Sequence, residues 1–261
     1  MKVAVAQISC SLGDPKANLS KARDFSHRAK VVGAELIVFP EMTDTGYSMP
    51  MIQKHAGHWK SGFVAGLQEI ASELSVAIVS GVSERDESAI YNSQVLIDAK
   101  GDIVSKYRKT HLYAVAPVEE QICFAAGDAF VSFAFGNLRF GFSICYDLRF
   151  PELYRKLVAE QNVCAFLISS AWPFPRVEHW SVLAQARAIE NQSYVVASNQ
   201  VGRNDNLWFC GSSAIIDPRG VVISAASADR EELIHADLSQ ELVQSVRSRV
   251  RSLGHRRQDL Y

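Results

Sequence analysis

Three residues with reactive side chains lie at the ends of predicted strands, where a fold can hold a side chain at the edge of a sheet. The first is Glu41, which ends the segment VFPE at 38–41 after a buried apolar run. Partial desolvation at such a place raises the pKa of a carboxyl group and makes it a usable base near neutral pH. The alternative is a solvated loop glutamate, because glutamate is rarely buried without a partner or a function.

The second residue is Lys109, in the basic segment YRKTHL at 107–112. An ammonium group held at a strand end can stabilise the negative charge that develops on an oxygen atom during a reaction. Most basic segments are solvated and have no such role, so this alternative stays open for Lys109 taken alone.

The third residue is Cys145, in the segment FSICYDLRFPE at 142–152. An apolar strand ends at this cysteine, and Pro151 suits the first turn of a following helix. Backbone N–H groups after such a turn point towards the group that the sulfur attacks, and a nearby helix start favours the thiolate. The alternative is a buried structural cysteine. Three other cysteines lack a comparable polar cluster and are interpreted in that way: Cys10, Cys164 and Cys210.

Strands and amphipathic helices alternate around these residues. Apolar runs rich in β-branched residues predict strands at 2–9, 36–39, 77–82, 91–97, 103–106, 130–135, 138–144, 163–169, 194–199, 212–216, 221–225 and 232–237. Helices are predicted over 19–32, 61–74, 151–160 and 179–191, with a last one starting near Ser239. Hairpin turns mixed with strand–helix–strand units indicate mixed sheets, whose outer faces the helices must cover. We therefore predict an α/β fold, a four-layer αββα sandwich with two packed mixed sheets.

The composition is that of a soluble globular protein, with 48% hydrophobic and 21% charged residues in a chain of 261. No linker or short repeat interrupts the chain, so we expect a single domain over residues 1–261. The 27 basic and 28 acidic residues give a net charge of −1, which argues against a nucleic-acid partner. The apolar runs are shorter than the roughly 18 residues of a membrane span, and the N-terminus is predicted as a strand rather than a signal peptide.

The five cysteines form no C-x-x-C pair, and their number is odd. A disulfide framework and a structural zinc site are therefore not expected, and the reducing cytoplasm is the predicted location. His55 and His58 have the spacing of metal ligands, but no third ligand lies near them in the sequence. We accordingly predict neither a metal nor another cofactor.

Taken together, in this order and at strand ends, the three motifs resemble the carbon–nitrogen hydrolase family, the nitrilase superfamily. The resemblance extends from AVAQ at 4–7 to RQDLY at 257–261. It implies that Glu41, Lys109 and Cys145 form the catalytic triad of the family.

A second glutamate typical of this family precedes a Gly-Asp pair by several residues. Here the pair is at 127–128, which implies Glu120 for this position, with neighbouring Glu119 as the alternative. The resemblance gives Glu120 the role of orienting Lys109 or the incoming amide.

Three segments are similar to the amidase branch that contains omega-amidases. They are YDLRFPE at 146–152, WPFPR at 172–176 followed by His179-Trp180, and ARAIENQ at 186–192. Typical true nitrilases instead have Trp-Glu-Asn after the cysteine. The resemblance implies hydrolysis of the terminal amide of 2-oxoglutaramate and similar 2-oxo acid amides.

The same resemblance implies that Glu41 activates the thiol of Cys145 and that the backbone N–H of Tyr146 helps to hold the oxyanion. Tyr47 and Trp172 are expected to line the substrate pocket. The carboxylate of a 2-oxo acid amide requires a cation, for which Arg149 and Arg176 are the candidates. A structural salt bridge for Arg149 and a solvated loop position for Arg176 remain open.

Two other functions are compatible with the sequence. One keeps the triad but changes the substrate to an N-carbamoyl amino acid or to deaminated glutathione. The other is an inactive family member that serves as a binding or assembly module, which the intact triad argues against. The family usually pairs through helices and C-terminal tails, so we expect at least a homodimer in which the tail at about 252–261 packs at the interface.

Overall fold

A computed structural model describes residues 1–116, 118–257 and 259–260 and places two six-stranded sheets face to face. The strands of the described residues are β1 (Lys2–Gln7), β2 (Leu36–Val38), β3 (Ala77–Asp86), β4 (Ala89–Ile97), β5 (Ile103–Arg108), β6 (Ala114–Val115), β7 (Val118–Glu119), β8 (Ser132–Phe135), β9 (Leu138–Ile144), β10 (Ala165–Ser170), β11 (Tyr194–Asn199), β12 (Val201–Asn204), β13 (Leu207–Cys210), β14 (Ala214–Ile216), β15 (Val222–Ala225) and β16 (Glu232–Asp237). The α-helices are α1 (Pro15–Val31), α2 (Met49–His55), α3 (Gly62–Leu74), α4 (Pro151–Gln161), α5 (Val177–Asn191) and α6 (Gln240–Arg249).

Both large sheets are mixed, with a parallel centre and antiparallel edges. The first has the strand order β16-β1-β2-β3-β4-β5, in which β1, β2 and β3 are parallel. The second has the order β15-β14-β11-β10-β9-β8, in which β9, β10 and β11 are parallel. Carboxyl ends of neighbouring parallel strands lie at the same edge of a sheet, so the loops that follow them meet there.

The period-two alternation of the strands creates the layers. In β1, Val3 and Val5 pack into the core between the sheets, whereas Ala4 and Ala6 pack against α1 and α3 on the outer face. On the second sheet, the outer face packs against α4 and α5. Each fully buried aliphatic or aromatic side chain contributes about 1.5–3 kcal/mol to this packing. The predicted αββα sandwich with two mixed sheets is confirmed.

Several elements were absent from the sequence prediction. The short helix α2 has only seven residues, too few for a periodic signal. The hairpin β12–β13 turns through Asp205 and Asn206, and Asp205 adopts a positive φ of 50°. Such residue types favour a two-residue turn, so this hairpin had a readable signal. Strand β3 continues four residues beyond the predicted end at 82, because its polar end pairs with β4 through the register Asp86↔Ala89.

The C-terminal part follows β16, the edge strand of the first sheet, and begins with α6. Ser239 caps this helix, its Oγ accepting a hydrogen bond of 3.2 Å from the backbone N–H of Leu242. In the tail, Arg257 pairs with Asp259 and Leu260 is 67% exposed. Gln258 and Tyr261, which belong to the predicted interface segment, lie outside the described residues. Among the helices that the structure describes, none combines the length and apolarity needed to cross a membrane.

Candidate active site

The three residues that follow predicted strands come together at one edge of the sandwich. Glu41 follows β2 of the first sheet by three residues, and Lys109 directly follows β5 of the same sheet. Cys145 directly follows β9 of the second sheet. Because the loops after β2 and β9 leave the parallel parts of the two sheets, docking of the sheets brings their side chains to one place. Lys109 and Cys145 line the same cavity.

Lys109 is buried between two carboxylates. Its Nζ donates to Oε1 of Glu41 at 2.9 Å and to Oε1 of Glu120 at 2.8 Å. All three side chains are completely removed from solvent. Burial works against the ammonium charge, but the two carboxylates raise the pKa of Lys109 well above its usual value, so that it is charged.

Glu120 lies at the start of a 3₁₀ helix over Glu120–Ile122, and the alternative Glu119 is exposed. Its Oε1 also accepts a hydrogen bond of 2.7 Å from the hydroxyl of Tyr47. Its Oε2 accepts one of 2.7 Å from the backbone N–H of Tyr113. Tyr47 thus contacts this carboxylate and also lines the cavity that contains Lys109 and Cys145.

Glu41 is bound from both sheets. Its Oε2 accepts a hydrogen bond of 2.8 Å from the backbone N–H of Ala171, which follows β10 of the second sheet. Its backbone carbonyl accepts one of 2.7 Å from the side chain of Gln200. Burial raises the pKa of Glu41 and the charge of Lys109 acts against this rise. The outcome is a raised pKa, which is the direction that suits a carboxyl group for accepting protons near neutral pH.

Sequence reasoning missed Asn92, in the middle of β4. Its Nδ2 donates to Oε1 of Glu41 at 2.7 Å and to Oε1 of Glu120 at 3.2 Å. A signal was present, since Asn92, Ser93 and Gln94 are three successive polar residues inside an otherwise apolar strand, and all three are buried. Buried polar runs of this kind point to a hydrogen-bonding network.

Cys145 lies at a sharp turn and is half-buried. Its φ of +44° is in the left-handed region, which costs a non-glycine residue on the order of 1–3 kcal/mol. A 3₁₀ helix over Cys145–Arg149 follows at once, and α4 begins only at Pro151. Burial and the nearby charge of Glu41 raise the pKa of the Cys145 thiol, while Lys109 acts against this rise. The resting thiol therefore needs a base to remove its proton.

Asp147 fastens this turn to the segment that carries Lys109. Its Oδ2 accepts a hydrogen bond of 2.9 Å from the backbone N–H of Ile144 and one of 2.7 Å from the hydroxyl of Tyr107. Its Oδ1 lies 2.7 Å from Nδ1 of His111, whose ring stacks on Phe150 with centroids 3.8 Å apart. The buried carboxylate thereby fixes the distance between the cysteine turn and the segment after β5.

Two glycines let the backbone approach closely at the site. A Cβ on Gly81 in β3 would lie 2.6 Å from Cα of Glu41 and 2.7 Å from the carbonyl oxygen of Pro40. A Cβ on Gly127 would lie 2.2 Å from the carbonyl oxygen of Arg108, and the N–H of Gly127 donates to the carbonyl of Lys109 at 2.8 Å. The Gly-Asp pair at 127–128 thus supports the backbone of Lys109.

The cavity beside Cys145 has a volume of about 290 Å³. Aromatic side chains form much of its wall, and four of them matter here: Tyr47, Tyr113, Tyr146 and Trp172. The rings of Tyr113 and Tyr146 meet edge to face with centroids 5.1 Å apart. Predominantly apolar walls with a few convergent polar groups are typical of small-molecule sites.

Arg149 and Arg176 both line this cavity. The Arg149 guanidinium lies 4.9 Å from the ring centroid of Trp172, and its Nη2 is 3.3 Å from Nδ1 of His179. The Arg176 guanidinium lies 6.0 Å from the ring centroid of Tyr113. Within residues 1–116, 118–257 and 259–260, neither guanidinium pairs with a carboxylate. The cavity thus has a positive charge that its own walls do not neutralise.

The remaining predicted features lie away from this cavity. His55, at the end of α2, and His58 line a separate depression of about 100 Å³. The described part of the chain contains no group of three His, Cys, Asp or Glu side chains that could hold a metal ion. Cys10, Cys164 and Cys210 are buried free thiols, as the sequence indicates.

The family model for carbon–nitrogen hydrolases matches residues 2–248. A 2-oxoglutaramate amidase from Bacillus subtilis is 35% identical over 261 residues, which cover 99% of this chain and 98% of the relative. An omega-amidase from Saccharomyces cerevisiae is 32% identical over 279 residues, with 100% and 94% of the two chains covered. The crystal structure of Nit3 from Saccharomyces cerevisiae, described as a nitrilase-superfamily member, superposes with a TM-score of 0.89 at 30% identity over 100% of this chain and 97% of that one.

Proposed function

The chain belongs to the carbon–nitrogen hydrolase family, and from this premise we propose that it hydrolyses the terminal amide of small 2-oxo acid amides of the 2-oxoglutaramate type, releasing ammonia. It is a hydrolase that acts on carbon–nitrogen bonds other than peptide bonds. The observation that carries the substrate class is the cavity. Cys145 and Lys109 line it together with two arginines that have no carboxylate partner among the described residues.

In the proposed first half-reaction, Glu41 removes the thiol proton of Cys145 and the sulfur attacks the amide carbon. The oxyanion that forms is held by the ammonium of Lys109 and the backbone N–H of Tyr146, and losing one such donor costs a factor of about 10²–10³ in rate. Protonated Glu41 then gives its proton to the leaving nitrogen. Ammonia departs, and the acyl group remains on Cys145 as a thioester.

In the second half-reaction, Glu41 takes a proton from water and the hydroxide attacks the thioester carbon. The carbon–sulfur bond breaks, protonated Glu41 returns its proton to the sulfur, and the carboxylic acid leaves. Glu120 keeps Lys109 in place between the two carboxylates. The distance of 2.8 Å between Oε1 of Glu120 and Nζ of Lys109 supports this assignment. Since these groups exchange protons at close range, the pKa values measured from kinetics will belong to the cluster.

We assign the binding of the substrate carboxylate to Arg176, with Arg149 as the second candidate. Among the described residues the Arg176 guanidinium has no hydrogen-bond acceptor, whereas Arg149 is already in contact with His179. Arg176 therefore has its donors free for a planar, bidentate contact with a carboxylate. Tyr47 and Trp172 complete the proposed wall around the substrate.

Kinetic measurements of ammonia release across a panel of amides test this assignment. We expect 2-oxoglutaramate to exceed glutamine in kcat/KM by more than about 100-fold, because the ammonium of glutamine would be buried beside two unpaired arginines at a cost of roughly 3 kcal/mol. A higher kcat/KM for an N-carbamoyl amino acid or for deaminated glutathione would overturn the assignment of 2-oxo acid amides as substrates. It would leave the proposed cysteine mechanism in place. Absence of any trapped thioester on Cys145 across the panel would favour the inactive, binding-module alternative.

Arginine variants make the substrate test sharper. Arg176→Ala should reduce kcat/KM for 2-oxoglutaramate far more than for an uncharged amide of similar length. Arg139→Ala, which removes an exposed arginine remote from the cavity, is the matched control and should change neither value. Equal losses on both substrates in Arg176→Ala would mean that this arginine shapes the loop and does not bind the carboxylate.

We further propose that residues 1–261 act as one domain in a cytoplasmic homodimer. Five free cysteines support a reducing location. Apolar side chains on the outer face of α5 support an interface, since Val182 is 63% exposed and Ile189 is 55% exposed. Light scattering at micromolar concentration should give at least twice the monomer mass, and a monomer alone would contradict the dimer.

A further inference from the structure

Asn92 contacts every charged member of the buried cluster, although it carries no charge itself. Its backbone carbonyl accepts a hydrogen bond of 2.8 Å from the N–H of Lys109. Its side-chain Nδ2 donates to Glu41 at 2.7 Å and to Glu120 at 3.2 Å. An amide nitrogen has two hydrogens, so these two contacts use its full donor capacity.

The two carboxylate oxygens that Asn92 contacts are the same two that Lys109 contacts. Oε1 of Glu41 and Oε1 of Glu120 lie 2.9 Å and 2.8 Å from Nζ of Lys109. Two donors, one neutral and one charged, therefore bridge the same pair of oxygens. An ammonium group has three hydrogens, and within the described residues Lys109 uses two of them for hydrogen bonds. Lys109 also lines the cavity, where the third can be used.

We propose that Asn92 is a positioning residue that fixes the carboxylates of Glu41 and Glu120 on either side of Lys109 and so keeps the third N–H of the ammonium directed into the cavity. The inference rests on the proposed function, in which that N–H holds the oxyanion. Without Asn92, Lys109 would be the only side chain among the described residues that bridges Oε1 of Glu41 and Oε1 of Glu120.

The orientation of the Asn92 amide supports this role. Its Oδ1 is buried and has no hydrogen-bond partner in the described part of the chain. Leaving a buried acceptor unpaired is costly, so stability alone does not account for an asparagine at this position. The reverse orientation of the amide would place its oxygen against two carboxylates, which fixes the nitrogen towards them.

The charge balance explains why the second bridging donor is neutral. The groups that face Glu41 are the ammonium of Lys109, the carboxylate of Glu120, the hydroxyl of Tyr47 and the thiol of Cys145. Burial raises the pKa of Glu41, and the hydrogen bond from Asn92 opposes that rise. A neutral donor stabilises the carboxylate of Glu41 in the resting enzyme without the second positive charge that would make it too weak a base.

The pH profile of an Asn92→Leu variant tests the proposal, because leucine keeps roughly the size and removes both donors. We expect kcat/KM to fall by about 10- to 100-fold. The acidic limb, the part of the pH profile in which kcat/KM falls at low pH, should move to higher pH by about one unit or more. The sign follows because loss of a hydrogen bond to the charged form raises the pKa of Glu41, so a higher pH is needed to keep it deprotonated. KM should change less than kcat.

Asn191→Leu is the matched control. Asn191 is equally buried, its Nδ2 donates to the carbonyl of Arg187 at 3.0 Å, and its Oδ1 also has no partner among the described residues. It lies at the end of α5 and does not line the cavity. The acidic limb of this variant should coincide with that of the wild type, whatever its loss of stability.

A second measurement makes the test independent of the natural substrate. The rate of alkylation of Cys145 by iodoacetamide, followed by mass spectrometry of the labelled peptide, should show the same upward shift of the acidic limb in Asn92→Leu. If this shift appears while 2-oxoglutaramate is not hydrolysed, the substrate proposal fails and the inference on Asn92 holds.

Asn92→Asp covers the case in which the leucine variant does not fold, since aspartate has the same shape. It replaces the donor by an oxygen and adds a third carboxylate, so the limb should move further upward than in Asn92→Leu. A uniform loss of rate at every pH, with the limb unmoved in the folded variant, would overturn the proposal. A shift of equal size in Asn191→Leu would overturn it as well.

Discussion

Gly81→Ala should disable the site without touching any side chain in it. Gly81 lies in β3 beneath the segment that carries Glu41, with its N–H donating to the carbonyl of Pro40 at 3.1 Å and its carbonyl accepting from the N–H of Thr43 at 2.9 Å. Alanine at this position would place Cβ 2.6 Å from Cα of Glu41. Carbon atoms in contact are separated by about 3.5 Å, so the two must move apart by roughly 1 Å.

A displacement of this size is large for catalysis and modest for stability. Misplacement of a reacting group by about 1 Å costs on the order of 100-fold in rate, whereas overpacking costs about 1–3 kcal/mol. We therefore expect kcat/KM for ammonia release to fall by about 100-fold in a protein that still unfolds cooperatively. The atoms in the way belong to the backbone, so a side-chain rotation cannot relieve the contact.

Gly57→Ala is the control, because a Cβ on Gly57 would meet no atom within 4 Å and its φ is not positive. Both variants should be compared by ammonia release at one pH and by thermal melting. Retention of more than about a tenth of wild-type kcat/KM in Gly81→Ala would refute the claim that the position of Glu41 depends on this close approach. So would an equal loss in Gly57→Ala.

Three further outcomes are expected. Cys145→Ala should abolish hydrolysis while Cys164→Ala leaves it largely unchanged, as measured by ammonia release; a tenth of wild-type turnover in the former would exclude Cys145 as the nucleophile. Asp147→Asn should lower the free energy of unfolding by about 2–4 kcal/mol in urea denaturation, since the buried carboxylate accepts hydrogen bonds from Ile144 and Tyr107; an unchanged value would contradict this. Because burial raises the pKa of Glu41, hydrolysis should be lost as the pH falls through a value above the pKa of an ordinary glutamate. Loss of activity only at or below that ordinary pKa, in a plot of kcat/KM against pH, would contradict the role of Glu41 as the base.

The residues that sequence reasoning found share one property, which is a place at the end of a strand. Glu41 and Cys145 follow apolar strands and Lys109 follows the mixed strand β5, and the sandwich brings these strand ends together. Glu120 lies on a 3₁₀ helix between short strands, where no periodic pattern marks it, and only the resemblance to a family identified it.

Asn92 could not be placed by the same reasoning, because its partners are 51 and 28 residues away in the chain. Its polar neighbours in β4 indicate a buried network, but nothing in the sequence states which groups the amide contacts. The helices and strands with a strong apolar period were predicted within a few residues. The hairpin β12–β13 was missed although its turn residues carry a signal. The polar end of β3 was missed because pairing with β4, rather than local hydrophobicity, defines it.

The two sheets of the sandwich supply different residues of the site, so the site depends on the order in which the sheets form during synthesis. Glu41, Asn92, Lys109 and Glu120 all belong to the part of the chain before residue 121, whereas Cys145 and Ala171 come later, on the second sheet. The last strand of the first sheet is β16, which pairs with β1 through the register Lys2↔Asp237. During synthesis, the first sheet therefore cannot be completed until the chain has emerged beyond Asp237. The complete two-sheet sandwich, which holds Lys109 and Cys145 at one cavity, is therefore a product of the last part of synthesis.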